Sequence, residues 1–384
     1  MGFRGYRRSD GRVGVRNHVV VMSSVSCANG VVEAIGRELP EVKTVIHSEG
    51  CGRGPADVPA TLRTLVGVAR HPNVAATLVV GLGCEAIKAQ IVAGQAAEGG
   101  RRIEVIGIQE CGGTPKSVAR GVEIAQGMLA EAATAEREEV GFEHLTLAME
   151  CGGSDSMSGI TANPCVGRAA DWLVERGGRV ILSEITEFIG TEEIVAERCA
   201  TPELSEQVLS ELAGHRAWVK RELGPMANFV IAPGNSEGGL SSIAEKSLGC
   251  IEKGGRSPIR EIVDYAESPG SKGLVIMKTP GSDIFSITGM IAGGAQLVLF
   301  TTGRGSPAGS PIAPVVKIAS TTRLFESMPD DMDFDAGCIA AGSSLSEVGE
   351  ELVGLVVEVA EGRATRAEIN RCELFAIHTV GAAF

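Results

Sequence analysis

Long apolar runs are missing from this 384-residue sequence, and so is any excess of positive charge. No run of about 18 or more apolar residues is present to cross a bilayer, and no apolar stretch follows the N-terminal arginines as in a signal peptide. The sequence has 35 Lys and Arg against 48 Asp and Glu, so its formal net charge is −13. A chain with this charge does not attract the phosphate backbone of a nucleic acid. We therefore expect a cytoplasmic protein that binds neither nucleic acid nor a membrane.

Aromatic side chains are also scarce, at 4% of the residues, whereas glycine occurs 51 times, roughly twice its usual share. The length and the hydrophobic content of 44% are those of a globular chain with two or three domains. None of the ten cysteines has a CxxC partner. Without an export signal, these cysteines are interpreted as reduced thiols, core residues or metal ligands, and not as a disulfide framework.

Short β-branched or apolar runs alternate with helical patterns along the first third of the chain. The runs predict strands at 18–22, 43–46, 76–80 and 103–108, each followed by a polar or glycine-rich turn and a helix, the last helix spanning 115–133. This alternation is typical of a parallel sheet with helices on both faces. The polar segment 134–143 indicates a domain boundary.

A second region of the same kind follows the boundary. Strands are predicted at 145–149, 180–182, 273–277 and 297–300, and helices over 194–223 and 345–360. The fold class predicted from both regions is α/β, with two Rossmann-like three-layer domains and mostly parallel sheets. The domains are predicted to span 1–138 and 139–384.

Reactive and polar side chains cluster directly after the predicted strands. They are Cys27, His47, Cys51, Cys84, Glu85, Glu110, Glu150, Cys151, Asp155, Glu184, Thr302 and Arg304. In parallel α/β sheets the carboxyl ends of the strands form one edge, and ligands bind in the crevice there. This agreement in position indicates an enzyme.

Five residues of this set supply sulfur, nitrogen and oxygen donors that could converge on one divalent metal ion. They are Cys27, His47, Cys51, Cys84 and Glu85. Iron, manganese or zinc suits such a mixed donor set. The alternative for any single cysteine is burial as a small apolar residue. We expect that role for Cys165, Cys199, Cys250, Cys338 and Cys372.

The turn Gly81-Leu-Gly-Cys-Glu-Ala86 formally matches the GxGxxA fingerprint of a dinucleotide fold. A thiol and a carboxylate would then occupy the place of a pyrophosphate, which electrostatics disfavours. An NAD-dependent oxidoreductase is therefore an alternative function, and a tight strand-to-helix turn is the simpler interpretation.

Hydroxyl and amide groups suited to a polyol or an anion are dense in 151–163. The candidates for substrate binding there are Ser154, Asp155, Ser158, Thr161 and Asn163. Asn235 lies in the glycine-rich loop 234–240, and Thr302 and Arg304 follow a strand, where the guanidinium could grip a carboxylate. A helix cap at Asn163 and a solvated turn at Arg304 are the alternatives.

Eight motifs taken in order resemble the large domain of the altronate and galactarate dehydratases. They are GYRRSDGRVGVRN from Gly5, HxxGCG at His47, GLGCE at Gly81, CGGSDxxSGxTANP at Cys151, SExxE at Ser183, GNxxGGLxxxxEKSLG at Gly234, FTTGRGxPxG at Phe300 and DxDxxAG at Asp331. The resemblance implies an Fe²⁺- or Mn²⁺-dependent elimination of water from a sugar acid, giving a 2-keto-3-deoxy acid.

Dehydratases of this family carry a small SAF-type domain ahead of the large one, so the resemblance implies a separate small subunit as a partner. The related sulfolactate sulfo-lyase has such a split arrangement and eliminates sulfite. Its pattern lacks the cysteines that stand here at Cys51 and Cys84, which favours the dehydratase branch. A non-catalytic binding subunit is a further alternative, and a homo-oligomer is expected.

The elimination requires a base near the metal ion. We expect His47 or Glu184 to serve as the base, with Lys317 as the next candidate. A charge at a helix N-terminus is the alternative for Glu184, and a side chain extended to solvent is the alternative for Lys317.

Overall fold

The computed structural model describes residues 2–229 and 231–384 of the chain, which form fourteen strands and fourteen α-helices. The strands are β1 Gly2–Arg7, β2 Val13–Gly14, β3 His18–Ser23, β4 Lys43–Val45, β5 Val74–Gly81, β6 Arg102–Gly107, β7 Glu138–Gly141, β8 Thr146–Cys151, β9 Arg179–Leu182, β10 Ile259–Val263, β11 Gly273–Met277, β12 Leu297–Thr302, β13 Val315–Ala319 and β14 Phe334–Asp335. The helices are α1 Asn29–Glu38, α2 Val58–Ala69, α3 Ala89–Ala96, α4 Ile108–Cys111, α5 Thr114–Ala132, α6 Ala162–Glu175, α7 Glu192–Glu197, α8 Pro202–Leu223, α9 Pro233–Glu237, α10 Ile243–Cys250, α11 Asp283–Ala292, α12 Thr322–Ser327, α13 Leu345–Ala360 and α14 Arg366–Ile369. Six short 3₁₀ helices complete the described secondary structure.

The first parallel sheet has the strand order β4-β3-β5-β6. Its central strands β3 and β5 are apolar and largely buried on both faces, because helices cover both sides. Val19 and Leu78 pack on one face against α1 and α5. Val20 and Val79 pack on the other face against α2 and α3.

The second parallel sheet has seven strands in the order β10-β11-β9-β8-β12-β13-β14. Leu147 and Val180 face a core that includes α6 and α13. Ala148 and Val298 face α11, in the same core that contains the α2 and α3 side chains of the first sheet. The two sheets therefore share one layer of helices, and the predicted α/β class with two three-layer parallel units is confirmed.

Two regions add detail to the sequence predictions. The polar segment 134–143 contains β7, which pairs antiparallel with β1 in a small sheet of the order β2-β1-β7. The helical stretches expected over 194–223 are two helices, α7 and α8, because Pro202 begins a new helix with Thr201 as its N-cap. No helix in the described part of the chain is long and apolar enough to cross a membrane.

Candidate active site

Four buried residues bring sulfur and oxygen atoms together at the carboxyl edge of the seven-stranded sheet. Cys151 ends β8, Glu184 and Glu187 follow β9, and Cys250 ends α10. One ligand atom from each lies within 4.8 Å of the others. We call these four residues the Cys–Glu group. Within residues 2–229 and 231–384, no other set of three or more such residues is gathered this closely.

Both thiols of the Cys–Glu group donate to a single carboxylate oxygen. Cys151 Sγ lies 3.0 Å from Glu187 Oε2 and 3.3 Å from Cys250 Sγ, and Cys250 Sγ also donates to Glu187 Oε2. The hydrogen bond with Cys250 and burial raise the pKa of Cys151 well above its usual range. Burial also raises the pKa of Cys250, so both thiols retain their protons.

Two lysines, one buried and one partly buried, neutralise the carboxylates of the group. Lys253 Nζ donates to Glu184 Oε2 at 2.8 Å, and neither side chain is more than 1% exposed. Lys246 forms an ion pair with Glu187. Burial opposes the charge on Glu187, but Lys246 and Lys253 outweigh it and lower the pKa of this carboxyl group.

Glu184 adopts a strained backbone conformation, with φ of 67°. Its N–H donates to Thr279 Oγ1 at 2.8 Å, and the Cys151 N–H donates to Glu184 Oε2 at 3.1 Å. A side chain in this left-handed region costs free energy that the surrounding contacts must offset. Strained residues of this kind concentrate at functional sites. Here the Glu184 carboxylate lies next to the Lys253 ammonium.

Glu150 lies on the opposite face of the same strand end and has one oxygen without a partner. Its Oε2 accepts a hydrogen bond of 2.6 Å from Ser286, whereas Oε1 has no hydrogen-bond partner among the described residues. Burial, followed by the Glu184 carboxylate, raises the pKa of Glu150 well above its usual range. Burial therefore favours the neutral form of Glu150, and its Oε1 is not used in any hydrogen bond of the described structure.

Lys317 belongs to the same row of side chains. Phe300 pairs with Glu150 on one side and with Lys317 on the other, so all three side chains share a face. Lys317 Nζ lies 5.3 Å from the Phe300 ring centre and has no hydrogen-bond partner in the described structure. Burial lowers the pKa of Lys317 to about 8. This lysine does not extend to solvent, which removes the simpler alternative considered for it.

The predicted substrate-binding residues lie together at this edge, but most of their polar atoms are used in internal hydrogen bonds. Asp155 accepts hydrogen bonds from Ser158 and Ser320, and Thr161 donates one to the Ser320 carbonyl. Asn163 donates to the Gly249 carbonyl and accepts from Thr301. Asn235 donates to the Ser154 carbonyl, and Thr302 Oγ1 accepts from the Gly305 N–H. Ser154 Oγ has no partner among the described residues. Arg304 forms an exposed ion pair with Glu237 at 2.8 Å. Ser154 and Arg304 thus remain the most available of the predicted substrate contacts.

The predicted metal ligands of the first domain lie at the carboxyl edge of the four-stranded sheet. His47 Nε2 donates to the Ser23 carbonyl at 2.8 Å and Nδ1 accepts from the Glu49 N–H at 3.1 Å, so both ring nitrogens are occupied. Cys27, Cys51 and Cys84 are exposed. The structure does not bring these donors within the range of a single ion, and their binding of metal stays a prediction.

In the turn that matches the dinucleotide fingerprint, the Glu85 carboxylate accepts hydrogen bonds from neighbouring groups. Glu85 Oε2 accepts from the Gly83 N–H at 2.6 Å, and Oε1 accepts from Ser24 Oγ at 3.2 Å. In a dinucleotide fold these backbone donors face the pyrophosphate. A carboxylate in that position favours the simpler interpretation of a tight turn.

Two family models cover most of the sequence. "D-galactarate dehydratase/Altronate hydrolase, second domain" matches residues 5–133, and "D-galactarate/Altronate dehydratase, C-terminal" matches residues 142–383. The chain belongs to the D-galactarate/altronate dehydratase family. Membership of this hydro-lyase family confirms the prediction of an enzyme.

Curated relatives in the family match almost the whole chain. Altronate dehydratase of Bacillus subtilis is 34% identical over 99% of this chain and 78% of its own length. Galactarate dehydratase (L-threo-forming) of Escherichia coli is 34% identical over 94% of this chain and 73% of its own length. The (2R)-sulfolactate sulfo-lyase subunit beta of Chromohalobacter salexigens is 33% identical over 95% of this chain and 94% of its own length.

Sequence reasoning missed most residues of this site. Cys250 was expected to be a core residue only, and Glu150 and Cys151 were placed at a strand end without a site role. Glu187, Lys253 and Asp283 were not among the predicted site residues. Burial and the nearby Glu187 raise the pKa of Asp283. Cys250 and Lys253 come from α10 and the 3₁₀ turn after it. A rule that looks only at strand ends could not find them. A visible signal in the sequence was the position of Lys253 between Gly249 and Gly254.

Proposed function

We propose that this chain catalyses the removal of water from a sugar acid, such as altronate or galactarate, to give a 2-keto-3-deoxy acid. The names of the dehydratase relatives support this substrate class. The observation that carries the proposal is the Cys–Glu group at the carboxyl edge of a parallel sheet, beside the unpartnered Glu150 oxygen. Ligands of parallel α/β sheets bind at this edge.

A divalent metal ion fits the Cys–Glu group by donor type and by charge. Two thiols and two carboxylates suit Fe²⁺ better than Mn²⁺, because thiolates are soft ligands. The two carboxylates are already balanced by Lys246 and Lys253. An ion that displaces both thiol protons therefore leaves the net charge of the group unchanged. When bound, the metal would polarise a substrate oxygen as a Lewis acid.

The residues around the group supply the proton transfer and the binding contacts. Glu150 would donate a proton at Oε1 to the leaving hydroxyl, because burial favours the neutral form of this carboxyl group. The Ser154 hydroxyl would bind a substrate hydroxyl, and Arg304 would bind a carboxylate with two parallel hydrogen bonds. Lys317, with its lowered pKa, is a candidate for the base.

Elimination of sulfite from sulfolactate is the second candidate function. The sulfo-lyase subunit matches this chain over nearly the full length of both proteins. That reaction also removes a proton next to a carboxylate and differs in the leaving group. A separate small subunit as partner is part of this proposal, and the word "subunit" in the name of this relative supports it.

The carboxylate contact is tested by steady-state kinetics on a sugar acid that yields a 2-keto acid. We expect Arg304→Ala to raise KM about tenfold or more, since a charge-assisted bidentate contact is lost. Arg323→Ala is the matched control, because Arg323 is also exposed and follows the next strand. Unchanged KM and turnover in Arg304→Ala would refute this contact.

The metal ligands are tested by the absorption spectrum of the cobalt(II) form. Cys27, Cys51 and Cys84 are first replaced by Ser, so that exposed thiols do not contribute. We expect a thiolate-to-cobalt charge-transfer band that Cys151→Ser and Cys250→Ser each weaken and that the double variant lacks, whereas the buried control Cys165→Ser retains it in full. A band that survives in the double variant would place the metal elsewhere.

A further inference from the structure

Three exposed cysteines follow three neighbouring strands of the four-stranded sheet. Cys27 lies in the 3₁₀ turn after β3, Cys51 in the loop after β4 and Cys84 in the turn after β5. All three thiols are exposed to solvent. Free cysteine is among the most commonly buried residue types, so three exposed thiols on one edge call for an explanation. We call Cys27, Cys51 and Cys84 the cysteine triad.

The backbone brings the three loops of the triad together. Gly50, next to Cys51, has φ of 107°, and a Cβ atom there would lie 2.3 Å from the Ser24 carbonyl oxygen. The Ser26 N–H donates to the Glu49 carbonyl at 2.9 Å, and the Ile87 N–H donates to the Gly50 carbonyl at 3.2 Å. The loop that carries Cys51 therefore crosses the end of β3 and contacts the segments that carry Cys27 and Cys84.

Two other donors in the loops after β3, β4 and β5 are already engaged. Both nitrogens of His47 are hydrogen-bonded within the fold, and both oxygens of Glu85 accept hydrogen bonds that shape its turn. The three thiols carry no such hydrogen bonds in the described structure. They project from the loops into solvent, where a small inorganic group can reach them.

The three thiols of the triad do not lie close enough together to share a single ion. Thiolates that share a single ion lie at most about 4.6 Å apart, which is twice a metal–sulfur bond of roughly 2.3 Å. In the described residues, three such donors come within 4.8 Å of one another at the Cys–Glu group alone. An iron–sulfur cluster is also held by cysteine thiolates but spreads them around a core of several atoms.

We propose that the cysteine triad binds a [4Fe–4S] cluster in which one iron has no protein thiolate. The open iron would face solvent, where a hydroxyl or a carboxylate of a ligand can approach it. This site is distinct from the buried Cys–Glu group and lies on the other parallel sheet. Cluster binding does not depend on the proposed function, whereas use of the open iron in the elimination rests on it.

The test is anaerobic reconstitution of the purified chain with equal amounts of ferrous and ferric iron and sulfide, followed by metal and acid-labile sulfide analysis and visible absorption. We expect about four irons and four sulfides per chain and a broad visible band. Cys27→Ser, Cys51→Ser and Cys84→Ser should each lose most of the bound iron and sulfide. Circular dichroism and the thermal midpoint of each variant show whether it has folded.

Cys111→Ser is the matched control and decides the ligand number. Cys111 ends α4, after the fourth strand of the sheet, and is partly exposed. Retention of the cluster in this variant is expected, and its loss would overturn the three-thiolate site. Iron without sulfide, or no iron in a folded wild-type chain, would overturn the cluster. A loaded cluster in a chain that converts no sugar acid would refute the proposed function and leave the cluster site standing.

Discussion

The Lys253 ammonium and the Glu184 carboxylate are both excluded from water, and each is the direct charge partner of the other. Removing one partner of such a pair leaves a buried charge without compensation. We expect Lys253→Met to lower the free energy of unfolding by about 3–5 kcal/mol, measured by urea denaturation. The double variant Lys253→Met with Glu184→Gln should recover part of this loss, because no unpaired charge remains.

The control for this substitution is Lys220→Met. Lys220 is exposed on α8 and has no carboxylate within 4.0 Å among the described residues. Its replacement should change the free energy of unfolding by no more than about 0.5 kcal/mol. Equal effects of Lys253→Met and Lys220→Met would show that the buried ion pair does not stabilise the fold.

Lys317 makes the stability of the protein depend on pH. Burial lowers its pKa to about 8 from the ordinary value of 10.5, so above pH 8 the unfolded chain binds more protons than the folded one. Stability should therefore rise between pH 8 and 10.5, by about 3 kcal/mol from this residue. Below pH 8 the penalty for the buried charge is fully present.

The measurement is the difference in unfolding free energy between wild type and Lys317→Met across this pH range. The variant should lack the rise that belongs to Lys317 and should be the more stable protein at pH 7. Parallel curves for the two proteins would contradict a neutral amine at alkaline pH and would weaken Lys317 as a candidate base.

At the scale of elements, the buried parallel strands were predictable and the small antiparallel sheet was not. β5 and β12 are apolar on both faces, which marks them directly in the sequence. β1 and β7 contain arginines and glutamates and pair across more than 130 residues, as between Arg4 and Glu139. Short strands of this kind with many charged residues are hard to recognise in a sequence, because their pairing depends on tertiary contacts.

Substitution of two glycines in helices distinguishes the effect of close packing on stability from the effect of helix propensity. Gly67 in α2 faces the end of α11, where a Cβ atom would lie 2.2 Å from the Ala292 carbonyl oxygen. Gly94 in α3 has no such neighbour within 4 Å. We expect Gly67→Ala to destabilise the fold by about 1–3 kcal/mol through overpacking. Gly94→Ala should stabilise it by about 0.5–1 kcal/mol.

Thermal or urea unfolding of the two variants tests how the two sheets pack. The two predicted changes in stability have opposite signs because the same substitution is made in two different surroundings. If Gly67→Ala were as harmless as Gly94→Ala, the close approach of α2 to α11 would be wrong, and with it the shared helix layer.

At the scale of the whole molecule, two parallel sheets share a helix layer, and each offers a carboxyl edge with sulfur donors. Sequence reasoning located both edges, because glycine-rich turns after apolar strands are visible in the sequence. It placed the metal ion at Cys27, His47, Cys51, Cys84 and Glu85, whereas the closest gathering of donors in the described residues is the Cys–Glu group. The difference arises because Cys250 and Lys253 reach the strand end from a helix about 100 residues away, which no spacing rule reports.

The central claim is that the chain dehydrates a sugar acid. The most direct measurement is incubation of the iron-loaded protein, prepared anaerobically, with altronate, galactarate and sulfolactate, with 2-keto acid and sulfite followed by mass spectrometry. The proposal predicts a 2-keto-3-deoxy acid from altronate or galactarate, without sulfite. Sulfite and a keto acid from sulfolactate alone would establish the second candidate function, and the absence of product from all three acids would contradict both.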